Sequence, residues 1–183
     1  MRRRNFIRSL SIGSGAIVAA PAISIPAVAN TISKTRTAKE MPTDVVIAGA
    51  GMGGCAAAIA ALRNGLRVVM TEETDWIGGQ LTQQGLSCPD EHPWIESFGA
   101  TQLYSDLRTA IREYYVRHYP LTEAAKTNKN LNPGSGAVSR LCHEPRVALA
   151  VLSNMLAPYL ASGKLTLLLQ HKIEGADING DKV

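Results

Sequence analysis

The apolar positions of the first half of the chain change period twice within a short span. In "TDVVIAGAG" a continuous run, Val45-Val46-Ile47-Ala48, enters glycine directly. A run this short, apolar at every position, predicts a strand buried on both faces of a parallel sheet. "GGCAAAIAALRNG" follows, rich in alanine and free of breakers until Asn64-Gly65. It predicts a helix with a glycine at its C-terminal end. "LRVVMTE" then reads as a second buried strand. Strand, helix and strand in succession imply parallel pairing, because parallel neighbours need a crossover.

The pattern loosens downstream. "SCPDEHPW" reads as a loop, and a helical period returns over 98–119, with Leu103, Leu107, Ile111 (or Ala110) and Tyr114 in register and Asp106, Arg108, Arg112 and Glu113 between them. That is an amphipathic helix. "NKNLNPGSG" (128–136) is a loop, and a further helix is expected from Pro145 to about Ser162. Proline suits its first turn, whereas Pro158 should kink it or end it early. "KLTLLLQ" reads as a strand, and "NGD" (179–181) as a tight turn. That turn is followed only by Lys182 and Val183. Two parallel strands and one apolar helix also cannot cover both faces of a doubly wound sheet. The expectation is an α/β fold with a Rossmann-like, doubly wound parallel sheet, incomplete in this chain, which is read as the N-terminal part of a longer protein.

The first 29 residues, "MRRRNFIRSLSIGSGAIVAAPAISIPAVAN" up to Ala29, have another character. A basic start, a weakly apolar stretch and a small-x-small ending at Ala27-Val28-Ala29 form the layout of an export signal, cleaved after Ala29. Pro21, Pro26, Gly13 and Gly15 make the stretch a poor membrane span. "RRNFIR" (Arg3 to Arg8) resembles the twin-arginine signal, with Arg2 where a Ser or Thr is usual. The resemblance implies export by that machinery, in the folded state, to the periplasm or otherwise out of the cytoplasm. Residues 30–42 are polar and turn-prone, a linker, and 43–183 form the folded region.

Charge adds little beyond this. The net charge of +4 resides in Arg2, Arg3, Arg4 and Arg8, and without them the chain has as many basic as acidic side chains. Nothing in it suggests nucleic-acid binding. The three cysteines, Cys55, Cys88 and Cys142, are far apart and form no CxxC pair. They read as free thiols, with no zinc or iron–sulfur spacing.

The strongest chemical signal is "GAGMGG", with Gly49, Gly51 and Gly54 in G-x-G-x-x-G spacing, and Ala50 and Gly53 in the same loop. The first glycine makes the strand-to-helix turn, the second admits a pyrophosphate against the backbone, and the third lets helix and strand approach. Unpaired N–H groups at the helix start favour the negative charge. The pattern follows a buried strand, opens a helix, and has an acidic residue at the end of the next strand, as a dinucleotide site requires. Glu72 lies 23 positions after Gly49, near the spacing for a ribose-binding carboxylate, and Glu73 competes for the role. The period of the strand leaves the choice open.

The stretch "DVVIAGAGMGGCAAAIAALRNGLRVVMTEETDWIGGQLT" (44–82) resembles the N-terminus of two-dinucleotide-binding-domain flavoproteins. The resemblance is greatest to the FAD-dependent oxidoreductases that include the heterodisulfide reductase-like flavoproteins. In that pattern the ribose-binding Glu precedes a Gly-Gly pair by six residues, which selects Glu72 over Glu73. The resemblance further implies FAD as cofactor, with Gly78, Gly79 and Gln80 near its diphosphate and ribityl chain. A weaker resemblance extends through "DEHPWIESFGATQLY", "YPLT", "NPGSG" and "SRLCHEPRVAL". On this reading residues 43–183 are the N-terminal part of an FAD-binding domain with the start of an inserted substrate region. The partner would be a small-molecule substrate or electron acceptor.

Catalytic residues are harder to assign, because a flavin performs the redox chemistry and the protein positions and tunes. "SRLCHEPR" (139–146) is the densest cluster, and Cys142 and His143 are its candidates for a thiolate or a proton donor. A structural cysteine within a capping or ion-paired cluster is the plainer reading. Cys88, Asp90, Glu91 and His92 match no familiar metal spacing, and no metal is expected. Cys55 reads as a packing residue, and Trp76 as a cover for the cofactor or as core. Two alternatives remain: an NAD(P)-dependent dehydrogenase, or a non-catalytic exported module that keeps the fold.

Overall fold

The computed structural model describes residues 40–85, 88–177 and 179–180. The expected signal, 1–29, and most of the linker, 30–42, lie outside the described residues.

Three parallel strands form one sheet: β1 (Val45–Ala48), β2 (Val68–Glu72) and β3 (Leu165–Leu169), in the order β1-β2-β3. The register aligns Val45 with Val68, and Val68 with Leu165, so all three strands start level. Helix α1 (Met52–Arg63) joins β1 to β2 and stops at Asn64-Gly65, where Gly65 takes a φ of 85°. The chain between β2 and β3 carries α2 (Gln80–Gln83), a 3-10 turn (Pro93–Glu96), α3 (Gln102–His118), α4 (Glu123–Lys126) and α5 (Pro145–Ala161). This is an α/β, Rossmann-like arrangement.

The core forms where the apolar faces of α1 and α5 meet the sheet and α3 packs on α5. Ala58, Ile59, Leu62, Met70, Leu107, Ile111, Val147, Val151, Leu152 and Leu156 are buried there. Helix α5 returns the chain to the start of β3 and packs on β3, α1, α2 and α3. A helix that feeds a parallel strand runs antiparallel to it, so the N-terminus of α5 lies toward the C-terminal edge of the sheet. The glycine loop after β1 is at that same edge.

Three expectations need correction. Strand β1 is not buried on both faces: Val46 is 57% exposed, because β1 is the sheet edge and the core lies against its other face. Strand β2, between two neighbours, is buried throughout. Pro158 does not end α5 early; the helix continues to Ala161. Proline removes the N–H that would bond the Asn154 carbonyl, but Asn154 is exposed and water can serve it. The amphipathic helix starts at Gln102, after Thr101, whose Oγ1 accepts from the Tyr104 amide at 3.3 Å. That cap sets its beginning.

Candidate dinucleotide site

The site is organised around Ala50, a fully buried residue inside the glycine loop. Its N–H donates to Glu72 Oε2 at 3.0 Å, and its carbonyl accepts from the Gly78 amide at 2.8 Å and from the Cys55 thiol at 3.2 Å. One residue thus joins the glycine loop, the acid at the end of β2 and the Gly-Gly segment. The first two are the pieces singled out by spacing, and the third is the one the family resemblance implied.

Each glycine has a distinct geometry. Gly49 makes the turn with φ of 91°. A Cβ on Gly54 would lie 2.0 Å from the Gly49 carbonyl oxygen, so only glycine lets α1 approach the loop this closely. Gly51, by contrast, has nothing within 4 Å of where its Cβ would be. It is the N-cap of α1, provides no side-chain cap, and is followed by a first turn without acidic residues. The N–H groups of that turn therefore have no side-chain cap, and no acidic residue in the turn offsets the helix dipole. A pyrophosphate fits such a cradle. Gly53 lies in the first turn of α1, likewise with nothing outside its own helix backbone within 4 Å of where its Cβ would be.

The Gly-Gly segment closes over this loop. A Cβ on Gly79 would sit 3.1 Å from Gly51 Cα, and one on Gly78 would strike Thr82 and Leu152. Gln80 follows as the exposed first residue of α2.

Glu72 is 7% exposed. Its Oε1 accepts from the Thr74 amide at 3.1 Å, the Thr74 hydroxyl at 2.9 Å and Gln83 Nε2 at 3.4 Å. Burial pushes its pKa up, but the donors from Thr74, Ala50 and Gln83 outweigh burial and hold the carboxyl below its ordinary range. Oε2 has one donor, from Ala50, and a carboxylate oxygen can accept another. Glu73 is exposed. Thr74 and Gln83 were not legible as site residues, although Glu-x-Thr is a spacing at which a hydroxyl can turn back on a carboxylate. Both line an open cleft with Asp75, Trp76 and Thr82, which places Trp76 at its wall.

A family model described as FAD dependent oxidoreductase matches residues 44–183. The chain belongs to this family. FAD is accordingly its cofactor. A curated relative, the acrylate reductase flavoprotein subunit of Shewanella woodyi, is 36% identical over 91 residues, or 48% of this chain and 17% of the relative. The chain thus spans about one sixth of that relative's length. Among solved structures, Mycobacterium smegmatis Sdh1 in complex with UQ1 matches with a TM-score of 0.39 and 16% identity, over 70% of this chain and 27% of that one. The 3-ketosteroid-delta4-(5alpha)-dehydrogenase of Rhodococcus jostii RHA1 matches with a TM-score of 0.33 and 18% identity, over 75% and 40% respectively.

The second candidate cluster lies at the head of α5. Cys142 and His143 are both buried, and Glu144 caps the helix, its amide donating to Tyr115 Oη at 2.7 Å and its Oε1 accepting from Tyr119 Oη at 3.0 Å. His143 is 1% exposed; Nδ1 donates to the Glu144 carbonyl at 3.1 Å, which leaves Nε2 as a buried acceptor without a partner among the described residues. Burial lowers its pKa, and the ring is held neutral.

Beside it is a buried ionic network that the sequence did not single out. Arg108, 4% exposed, pairs with Glu91 and with Glu96. Tyr104 Oη donates to Glu91 Oε1 at 2.5 Å, Ser139 Oγ donates to Glu91 Oε2 at 3.3 Å, and Arg112 Nη2 donates to Glu96 Oε1 at 2.6 Å. Burial and the Glu91 carboxylate together drive the Tyr104 hydroxyl far above its usual pKa. The sequence period set Arg108 between the apolar positions of α3, so its burial was not legible there; a cation this buried demands a buried partner. Glu91 is taken up by this network, and no group of metal-binding side chains occurs among the described residues.

Proposed function

We propose that this chain holds FAD in an exported oxidoreductase, with the diphosphate at Gly49, Ala50, Gly51, Gly53 and Gly54, the adenosine ribose on Glu72, and Gly78, Gly79 and Gln80 closing over the cofactor. The observation that carries the reading is the junction at Ala50, which brings loop, acid and Gly-Gly pair to one point. FAD supplies two-electron redox chemistry to a small-molecule substrate or electron acceptor. The protein's part is to neutralise the diphosphate with the N–H groups of α1 and to fix the ribose with the carboxylate of Glu72. Spacing of six residues between Glu72 and Gly78 also supports kinship with the heterodisulfide reductase-like group.

Cys142 and His143 are the candidates for chemistry. His143 lies at the head of α5, on the sheet edge that carries the glycine loop, with a neutral ring and an Nε2 that has no partner among the described residues. That group is suited to accept a proton from a substrate or to hold a donor in place. The acrylate reductase relative suggests a small unsaturated acid as the first substrate class to test.

The protein expressed without residues 1–29 should purify yellow, with flavin absorbance that is lost in Gly51→Val, where the new side chain fills the open cradle. A folded, colourless wild-type protein would overturn the reading. Export by the twin-arginine route is part of the proposal and is supported by "RRNFIR". Replacing Arg3 and Arg4 by lysine should trap the precursor in the cytoplasm, whereas unchanged export in fractionated cells would refute that route.

A further inference from the structure

The two carboxylate oxygens of Glu72 have different partners. Oε1 accepts from the Thr74 amide at 3.1 Å, the Thr74 hydroxyl at 2.9 Å and Gln83 Nε2 at 3.4 Å. Oε2 accepts, among the described residues, only from the Ala50 amide at 3.0 Å. The Thr74 hydroxyl stands between two acceptors. Its oxygen lies 2.9 Å from Glu72 Oε1 and 3.0 Å from the Trp76 carbonyl, and it accepts from the Trp76 amide at 3.2 Å. A hydroxyl has a single proton to give. The Trp76 carbonyl already receives Gln83 Nε2, and a charged acceptor makes the stronger bond, so an ionised Glu72 takes the proton. A relay then runs from the Trp76 amide through the Thr74 hydroxyl to the carboxylate, each bond polarising the next. Trp76 leads within two residues to Gly78 and Gly79. Glu72 thereby holds the glycine loop through Ala50 and the entry to the Gly-Gly segment through Thr74.

We propose that Thr74 is a positioning residue for FAD: its hydroxyl fixes the ionised Glu72 with Oε2 left for the ribose and couples that acid to the Gly-Gly segment. The proposal rests on the assignment of the ribose to Glu72. Burial pushes the Glu72 pKa up, and the donors from Thr74, Ala50 and Gln83 together bring it below the ordinary value of 4.5. The other titratable groups around it are few among the described residues. Cys55 of α1 bonds the Ala50 carbonyl, and burial pushes its thiol up to about 11, so it is neutral. Glu73 and Asp75 flank Thr74 and are exposed, as is His171 beyond β3, whose amide donates to the Glu72 carbonyl at 2.9 Å. Protonation of Glu72 removes the charged acceptor; the Thr74 hydroxyl then turns to the Trp76 carbonyl and the relay is broken. FAD affinity is therefore level above the Glu72 pKa and falls below it, and loss of the Thr74 hydroxyl moves that fall to higher pH.

The test uses protein lacking residues 1–29, with Thr74→Val, Thr74→Ser and Glu72→Ala beside wild type. At neutral pH Thr74→Val should bind FAD roughly 3- to 10-fold more weakly, the net contribution of one hydrogen bond. That factor should grow as the pH is lowered toward about 4. Thr74→Ser, which keeps the hydroxyl, should follow wild type throughout. In apoprotein the carbon NMR signal of the Glu72 carboxyl, identified by its absence in Glu72→Ala, should titrate below the ordinary carboxylate range in wild type and at higher pH in Thr74→Val. Wild-type affinity in Thr74→Val, a loss by one constant factor at every pH, or a wild-type Glu72 that titrates at or above 4.5 would each overturn the proposal. Unaltered FAD binding by Glu72→Ala would overturn the ribose assignment on which it rests, whereas a loss in Glu72→Ala with none in Thr74→Val would overturn the role of Thr74 alone.

Discussion

Ala50 has no side chain to offer a ligand, yet its backbone makes the contacts that define the site. A side-chain motif cannot reveal such a residue; only its place between two spaced glycines does. His143 is the opposite case, a titratable group kept neutral by burial. Its folded pKa is depressed below the ordinary imidazole value of 6.5, so its contribution to stability is complete above that value and is lost as pH falls below it. Urea unfolding at about pH 7.5 and about pH 5.5 should show lower stability in acid, and His143→Gln should reduce that pH dependence. An unchanged slope in the variant would remove His143 from this role.

Among the elements, α3 is the one whose period is broken for a reason. Its inward stripe includes a cation, and Arg108 meets Glu91 and Glu96 from the segment before it. Arg108→Met should cost about 3–5 kcal/mol in urea unfolding, because it leaves buried carboxylates without their partner. Adding Glu91→Leu should recover a large part of that loss. If the single variant were as stable as wild type, the network would not hold the segment from Glu91 to Glu96 in place. Helix α5 shows the reverse relation between rule and outcome: Pro158 breaks an interior preference but sits in the last turn, where the cost falls on a solvent-facing carbonyl.

For the molecule as a whole, the sheet and the glycine loop were legible because local signals determine them: short apolar runs, glycines at fixed offsets and an acid at a strand end. The role of Gly79 was legible only in part. The family resemblance implied a place near the cofactor, whereas its approach to Gly51 depends on how α2 docks on α5. The meeting of Arg108 with Glu91 was hidden because packing of distant segments creates it. The exposure of β1 was hidden too, since an apolar run does not say whether a strand is central or at an edge. Glu72 unites these levels, as a residue at the end of a central strand that holds the glycine loop by its Ala50 amide.

The most direct measurement is therefore FAD affinity, by titration of apoprotein lacking residues 1–29, for wild type, Glu72→Ala and Glu73→Ala. Loss of a charged hydrogen-bond acceptor should weaken binding about 10- to 100-fold in Glu72→Ala, while Glu73→Ala should remain close to wild type. Equal affinities for all three proteins, or a loss confined to Glu73→Ala, would contradict the assignment of the ribose to Glu72.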